Sequence, residues 1–356
     1  MAEITAEGDK GFDFEDIYTL KDDPKSFLGK KYAAIKKRVR ITEIPDFPVS
    51  IGIEVTSGCN HECVFCGLPY IERPRSHIDP ALFRSIVEQC FALGSREVSL
   101  VGGAEPLVNK RLEEYIAYCG GLGFEYIYIT TNGTLADAER WKRLIDAGLH
   151  SIKVSINGGD SETYRRVHCK DDFQKAVDSV IAIDEYRKTL DRPVFLGVAC
   201  VETKTNQGAY AKLRDLLGDY ADEIVSSKSI RPPGHPVRED VFLGDSMGEV
   251  VKAGEAKCYM PFSQANFSCE GYFRACCVEW DNGTALEDVK TTPVAEAWVS
   301  ERFRSLRRRL IAEADGRGNL KGLLCEDCLY GGCAPFEPMN PELSRPDTMK
   351  SKDFTL

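Results

Sequence analysis

The sequence predicts an α/β fold, an open (β/α)6 partial barrel followed by a small α+β unit toward the C-terminus. Three observations predict it. Between residues 51 and 228, apolar runs alternate six times with amphipathic stretches, the pattern of parallel strands covered by helices. Six repeats fall short of the eight that close a barrel, so the arc is expected to stay open. Beyond it, a proline-rich stretch breaks the pattern and a second set of cysteines begins at Cys258.

Residues 1–48 read as a polar lead-in segment, with an amphipathic helix near 26–38, ended by Ile44-Pro45-Asp46-Phe47-Pro48. The strands of the arc are expected at 51–56, 97–101, 125–130, 151–156, 194–201 and 223–228. The first helix is marked most clearly. Asp79 can cap it, Pro80 suits its first turn, Leu82, Ile86, Val87 and Cys90 share an apolar face, and Gly94 can end it. Trp141, Leu144 and Ile145 mark another, stopped by Gly148. The barrel unit is placed at 49–230, with 231–255 as a linker containing Arg231-Pro232-Pro233-Gly234-His235-Pro236. In the unit at 256–340, residues 264–269 and 272–277 form a hairpin turning at Glu270-Gly271, and 294–314 one helix. A tail at 341–356 follows.

At 356 residues with 43% hydrophobic side chains, the chain can bury a sizeable core. A net charge of −10 argues against nucleic acid as the main partner, because such binding neutralises phosphates with Lys and Arg. No run approaches the ~20 apolar residues of a membrane span. The N-terminus has neither a basic start nor an apolar core of the secretory kind. Fourteen cysteines in such a chain point to a reducing cytoplasm, where clustered thiols hold metal.

Cys59, Cys63 and Cys66 lie within eight residues, directly after the first strand. Three thiolates at this spacing can wrap one face of an iron–sulfur cube. Such cubes usually take four cysteines, and no fourth lies nearby, so one iron is left open. A structural zinc site would want four ligands and short CxxC pairs, which this loop lacks. The loop leaves the carboxyl end of its strand, where α/β sheets place their ligands.

Cys-x3-Cys-x-aromatic-Cys, read here as Cys59, Cys63, Phe65 and Cys66, resembles the signature of the radical SAM superfamily. The resemblance implies a partial TIM-like barrel and a [4Fe–4S] cluster whose open iron is chelated by S-adenosylmethionine. It implies reductive cleavage of that cofactor to a 5′-deoxyadenosyl radical, which abstracts hydrogen from a substrate, and an electron donor such as flavodoxin or ferredoxin. Phe65 would lie beside the adenine. Val101-Gly102-Gly103-Ala104-Glu105-Pro106, after the second strand, is similar to the family's Gly-Gly-Glu segment, which binds the methionyl amino group. Ala104 interrupts it, leaving Gly102, Gly103 and Glu105 as the expected contacts. Asn132 and Ser155, at the next two strand ends, would serve the ribose and carboxylate; as plain residues they are turn formers and caps. Arg165 or Arg166, with Arg166 preferred, would pair with the carboxylate through its guanidinium fork. Val198 would touch adenine.

The second cysteine set is Cys258, Cys276, Cys325, Cys328 and Cys333. Cys-x12-Gly-x4-Cys, with Ala297-Trp298-Val299-Ser300 and Leu306-Arg307 ahead of the closing CxxC, resembles the SPASM and Twitch extensions of the same superfamily. That resemblance implies an auxiliary [4Fe–4S] cluster on Cys258, Cys276, Cys325 and Cys328. No cysteine follows Cys333, so the one-cluster Twitch form is the better match. On spacing alone a four-thiolate zinc ribbon competes. Of the remaining thiols, Cys90 and Cys119 read as packing residues. Cys169, Cys200 and Cys277 are candidates to return a hydrogen atom, or simply free core thiols.

The expected activity is oxidation or epimerisation of a small polar metabolite such as an aminosugar, aminocyclitol or amino-acid derivative. The short lead-in segment, with no leader-binding module, favours this over thioether or carbon–carbon crosslinking of a ribosomal peptide. A non-catalytic, zinc-stabilised binding protein is the alternative of another class.

Overall fold

The structure is a computed structural model that describes residues 39–229, 231, 240–243, 258–277, 280–314, 318–330 and 336–344. The helix expected at 26–38, most of the 231–255 linker with His235, the tail beyond 344 and Cys333 lie outside the described residues.

The six expected strands form a parallel run: β1 Ser50–Ile53, β2 Glu97–Ser99, β3 Tyr126–Thr131, β4 Ser151–Ser155, β5 Phe195–Glu202 and β6 Glu223–Lys228. Helices follow them: α1 Pro80–Ala92, α2 Leu112–Leu122, α3 Ala138–Asp146, α4 Ser161–His168, α5 Phe173–Arg187 and α6 Ala209–Leu217. Asp79 caps α1 as its sequence suggests, Oδ1 accepting from Ala81 N (2.8 Å) and Leu82 N (3.0 Å). The buried face of α1 uses Phe83 with Ile86, Val87 and Cys90, and leaves Leu82 half-buried. Phe83 stacks on Tyr115 of α2 at 4.2 Å. Gly94 and Gly148 end their helices at φ +102° and +119°, backbone that glycine adopts without strain. The first two strands are shorter than their apolar runs. β1 stops at Ile53, and Thr56 pairs instead with His77 in an isolated bridge, which opens the loop that carries the cysteines.

The sheet does not end at β1. After α7 (Met260–Ser263), β7 (Gln264–Phe267) pairs parallel with β1, matching Ser50 with Gln264 and Ile53 with Phe267. β8 (Tyr272–Arg274) and β9 (Ala285–Asp288) continue antiparallel, giving nine strands in the order β6-β5-β4-β3-β2-β1-β7-β8-β9. The expected hairpin is present, with Gly271 at φ +90°. The single helix expected at 294–314 is two, α8 (Val294–Trp298) and α9 (Glu301–Ala314). Ser300 separates them: its hydroxyl accepts from Phe303 N (3.4 Å) and its carbonyl from Arg304 N (2.9 Å), the work of an N-cap. Arg307 of α9 is fully buried, donates to the carbonyls of Pro261 and Trp298 (2.9 and 2.8 Å), and stacks over Trp298. α10 (Leu324–Tyr330) brings in the last described cysteines.

One buried ion cluster ties the two stretches together. Arg73 lies between Glu54, just past β1, and Glu270 in the hairpin turn, at 2.7 Å from each, and also donates to Trp280 O. Burial pushes the Glu54 carboxyl up, but Arg73 and then Arg274 outweigh it and hold the group at about 2 against an ordinary 4.5. A depressed carboxylate stabilises the fold fully above its unfolded pKa, and that contribution fades as pH falls from about 4.5 toward 2. Glu54→Gln leaves the buried Arg73 and Arg274 with Glu270 as the one remaining carboxylate of the cluster and should cost about 3–5 kcal/mol at pH 7. Urea unfolding at several pH values checks it: the gap between variant and parent should narrow between pH 5 and 2.

Candidate metal centres and cofactor cleft

Backbone bonds anchor the cysteine loop at several points. Ser57 N donates to Ser76 O (2.9 Å), Glu105 N to Gly58 O (3.1 Å) and Val64 N to Val167 O in α4 (2.9 Å). Arg75 clamps the carbonyls of Ser57 and Leu68 at 2.8 and 2.7 Å. Amides also point at the sulfurs, His61 N at Cys59 Sγ and Leu68 N at Cys66 Sγ, each 3.4 Å away. Burial pushes Cys59 up to about 12, helped by the Glu105 carboxylate. It raises Cys63 well above the usual thiol range, with Cys66 and Cys59 adding to it, and raises Cys66 as well. Three mutually opposing thiols are thus set where only a cation would favour their ionised form.

The strand ends after β2 and β3 are locked to this loop. Glu105 is buried, and both its oxygens are engaged: Oε1 by Thr131 Oγ1 (2.6 Å) and Leu107 N (3.0 Å), Oε2 by Asn132 N (2.6 Å). Asn132 Nδ2 donates to Asn60 Oδ1 (2.9 Å), and Asn60 Nδ2 to Thr134 Oγ1 (2.9 Å). Glu105, Asn132 and the cysteine loop are therefore one hydrogen-bonded unit. The two glycines make room for neighbours within the chain. A Cβ on Gly102 would meet Glu54 Cγ at 2.4 Å, and one on Gly103 would meet the Trp280 ring at 1.9 Å. Trp280 Nε1 donates to Gly103 O (3.0 Å).

Phe65 lies half-buried in the cysteine loop, and Ser155 half-buried at the end of β4 opposite Ala199. Arg165 and Arg166 are both exposed on α4. Val198 is fully buried in the apolar core. Strand alternation turns Gly197 to the opposite face, where its Cβ position lies 3.2 Å from Phe195 and 3.8 Å from Lys153.

The second set assembles from three segments. Cys258 precedes α7, Cys276 follows β8, and Cys325 and Cys328 lie on α10. Burial, and then the charges of Cys258, Cys276 and Cys328, raise Cys325 well above its ordinary range. Cys258 goes up to about 12 by burial and Cys276, and Cys328 rises by burial with Cys276 and Cys258. Cys277 joins this group, lowered by its hydrogen bond with Cys276 and 4.0 Å from Met260 Sδ. Among the described residues, sets of three ligand atoms all within 4.8 Å are His61–Cys63–His168 and Glu54–Cys269–Glu270. Four thiols brought together from three segments are the ligand set that one iron–sulfur cube takes.

The structure adds residues that the sequence did not disclose. His168 Nδ1 stands 3.5 Å from Cys63 Sγ and 3.2 Å from His61 Nδ1, and His61 Nε2 lies 3.3 Å from Asp172 Oδ2. Tyr164 stacks on His168 at 3.9 Å. Only the helical i, i+4 spacing of Tyr164 and His168 was visible beforehand.

This fold, with three thiols at the carboxyl edge of a parallel sheet and four beside the added hairpin, defines a radical SAM enzyme. The chain belongs to the radical SAM superfamily: residues 53–198 match that family, and residues 258–329 match the SPASM family, described as an iron–sulfur cluster-binding domain. It is 35% identical to a probable GTP 3′,8-cyclase of Methanothermobacter marburgensis, over 73% of this chain and 94% of the other. It is 21% identical to the S-adenosyl-L-methionine-dependent 2-deoxy-scyllo-inosamine dehydrogenase of Niallia circulans, over 78% and 91%. In fold it is similar to Streptococcus suis SuiB bound to precursor peptide SuiA, with a TM-score of 0.60 at 14% identity, over 86% and 74%. Its cofactors are accordingly a [4Fe–4S] cluster, S-adenosylmethionine and auxiliary iron–sulfur ligation, and the zinc-stabilised, non-catalytic alternative is set aside. No helix among the described residues is long and apolar enough to cross a membrane.

Anaerobically loaded protein should carry about eight irons with matching sulfide, as two four-iron cubes require. Replacing Cys59, Cys63 and Cys66 together by serine should remove about half and abolish 5′-deoxyadenosine formation. Replacing Cys276 and Cys328 should remove the other half; iron and sulfide analysis reads both.

Proposed function

We propose that the enzyme oxidises a small polar metabolite, an aminosugar, aminocyclitol or amino-acid derivative, at a carbon bearing a hydroxyl or amino group. The observation that carries this reading is the convergence of Cys258, Cys276, Cys325 and Cys328. Four thiolates saturate one cube, so no iron is left to ligate substrate, and the auxiliary site is suited to take up an electron. When bound, the cluster on Cys59, Cys63 and Cys66 supplies the electron that cleaves S-adenosylmethionine to the hydrogen-abstracting 5′-deoxyadenosyl radical. Loss of a hydrogen atom, then of a proton and an electron, amounts to a two-electron oxidation. The chain's part is to hold, orient and exclude water. Phe65, Gly103, Ser155 and Arg166 would serve S-adenosylmethionine in this reading, while Glu105 and Asn132 hold the cysteine loop through their hydrogen bonds. The resemblance to an aminocyclitol dehydrogenase supports the same substrate class.

Deuterium transfer from selectively labelled compounds into 5′-deoxyadenosine tests it. Label should arrive from an aminocyclitol or aminosugar carbon next to nitrogen or oxygen. Cys276→Ser should still form 5′-deoxyadenosine but give less than a tenth of the oxidised product. Transfer from GTP or from a peptide instead would assign the enzyme to those substrates and refute the proposal.

A further inference from the structure

Helix α4 lays Tyr164 and His168 one turn apart beneath the cysteine loop, which is bonded to the same helix through Val64 N and Val167 O (2.9 Å). Their polar atoms are unusual in opposite ways. His168 Nε2 lies 3.0 Å from Asn157 N and 3.1 Å from Asn157 Nδ2, both donors, so this nitrogen is the acceptor and the ring proton of the neutral imidazole sits on Nδ1. That one Nδ1–H is shared between Cys63 Sγ at 3.5 Å and the acceptor His61 Nδ1 at 3.2 Å. His61 in turn gives its Nε2–H to Asp172 Oδ2 (3.3 Å), with Thr134 Oγ1 at 3.4 Å. Tyr164 is completely buried, its ring parallel to that of His168, and its hydroxyl finds no hydrogen-bond partner among the described residues. An orphaned buried hydroxyl is costly, and phenylalanine would avoid it. The hydroxyl is thus left with a proton to donate.

We propose that Tyr164 and His168 are positioning residues that donate O–H···S and N–H···S hydrogen bonds to the sulfur of the cluster held by Cys59, Cys63 and Cys66, and so raise its reduction potential. Hydrogen bonds to cluster sulfur favour the form with the extra negative charge. This rests on the assignment of those three cysteines and is independent of the substrate.

The test is an anaerobic redox titration of the holoenzyme, followed by electron paramagnetic resonance of the signal that shifts when S-adenosylmethionine is added. Tyr164→Phe keeps the stacked ring and deletes one atom. With iron content unchanged, it should lower the reduced-to-oxidised ratio at fixed poise about tenfold, which is a shift of about 59 mV to more negative potential for a one-electron couple. His168→Gln, which keeps an acceptor for Asn157 but not the Nδ1 donor, should shift in the same direction. His168→Asn, which keeps the donor, should remain near the parent. If Tyr164→Phe leaves the potential unchanged and merely stabilises the apoprotein, the hydroxyl is an ordinary packing defect and the proposal is wrong. If no signal of the parent protein responds to S-adenosylmethionine, the assignment of the three cysteines fails and takes the proposal with it.

Discussion

Seven cysteines gathered in two groups, six of them thiols whose ionisation burial opposes, are the constraint on which the rest of this structure depends. Cys59 and Cys258 are each pushed up to about 12, and Cys63 and Cys325 further. Burial alone does not mark them, since Cys90 and Cys119, a neighbouring pair in the helix-covered core, are pushed up in the same way. The cluster cysteines instead gather as three and as four, so that thiolates raise the cost of their neighbours. Metal reverses that sign, and the thiolates become favourable only when the cation is present. Folding of both regions and loading of their clusters are therefore linked.

β1 brings the two groups into one frame. It is the strand from which the cysteine loop departs, and it is hydrogen-bonded on both sides, to β2 within the arc and to β7 of the added hairpin. The charges beneath it reinforce the join: Arg73 comes from the chain just after the cysteine loop, and Glu270 from the hairpin turn that precedes Cys276. Movement of the hairpin would pull on Arg73, and through it on Glu54 at the root of the loop. Trp280, packed on Gly103, makes a second contact between the same two regions. The two glycines that a sequence reader assigns to ligand approach are thus also needed for these internal approaches.

Much of this was legible in the sequence because the governing signals are local. The strand at 223–228 falls where its apolar run puts it, and Asp79 caps the helix that it announces. The cysteine triplet declares itself by spacing. What was hidden is non-local. The β1–β7 pairing joins residues more than 200 positions apart and leaves no mark in either run, and the Glu54–Arg73–Glu270 cluster is composed of charges that ordinarily read as surface. Ser300 sits inside one continuous helical pattern, with Val294, Ala297 and Trp298 before it and Phe303 and Leu306 after it, so its role as a cap is not marked. Val198 was assigned to the cleft, whereas alternation places it in the core. Tyr164 and His168 lie in a short, mostly polar helix, where a functional buried pair cannot be told from an ordinary amphipathic face.

The central claim is that Cys59, Cys63 and Cys66 leave one coordination position for S-adenosylmethionine, while the second site is closed by four thiolates. Electron–nuclear double resonance on the reduced protein, with the cofactor labelled by 15N at its amino group, measures this most directly. The account predicts hyperfine coupling from that nitrogen to the cluster on the triplet and none to the auxiliary one. Coupling to neither, or to the auxiliary cluster alone, would contradict it.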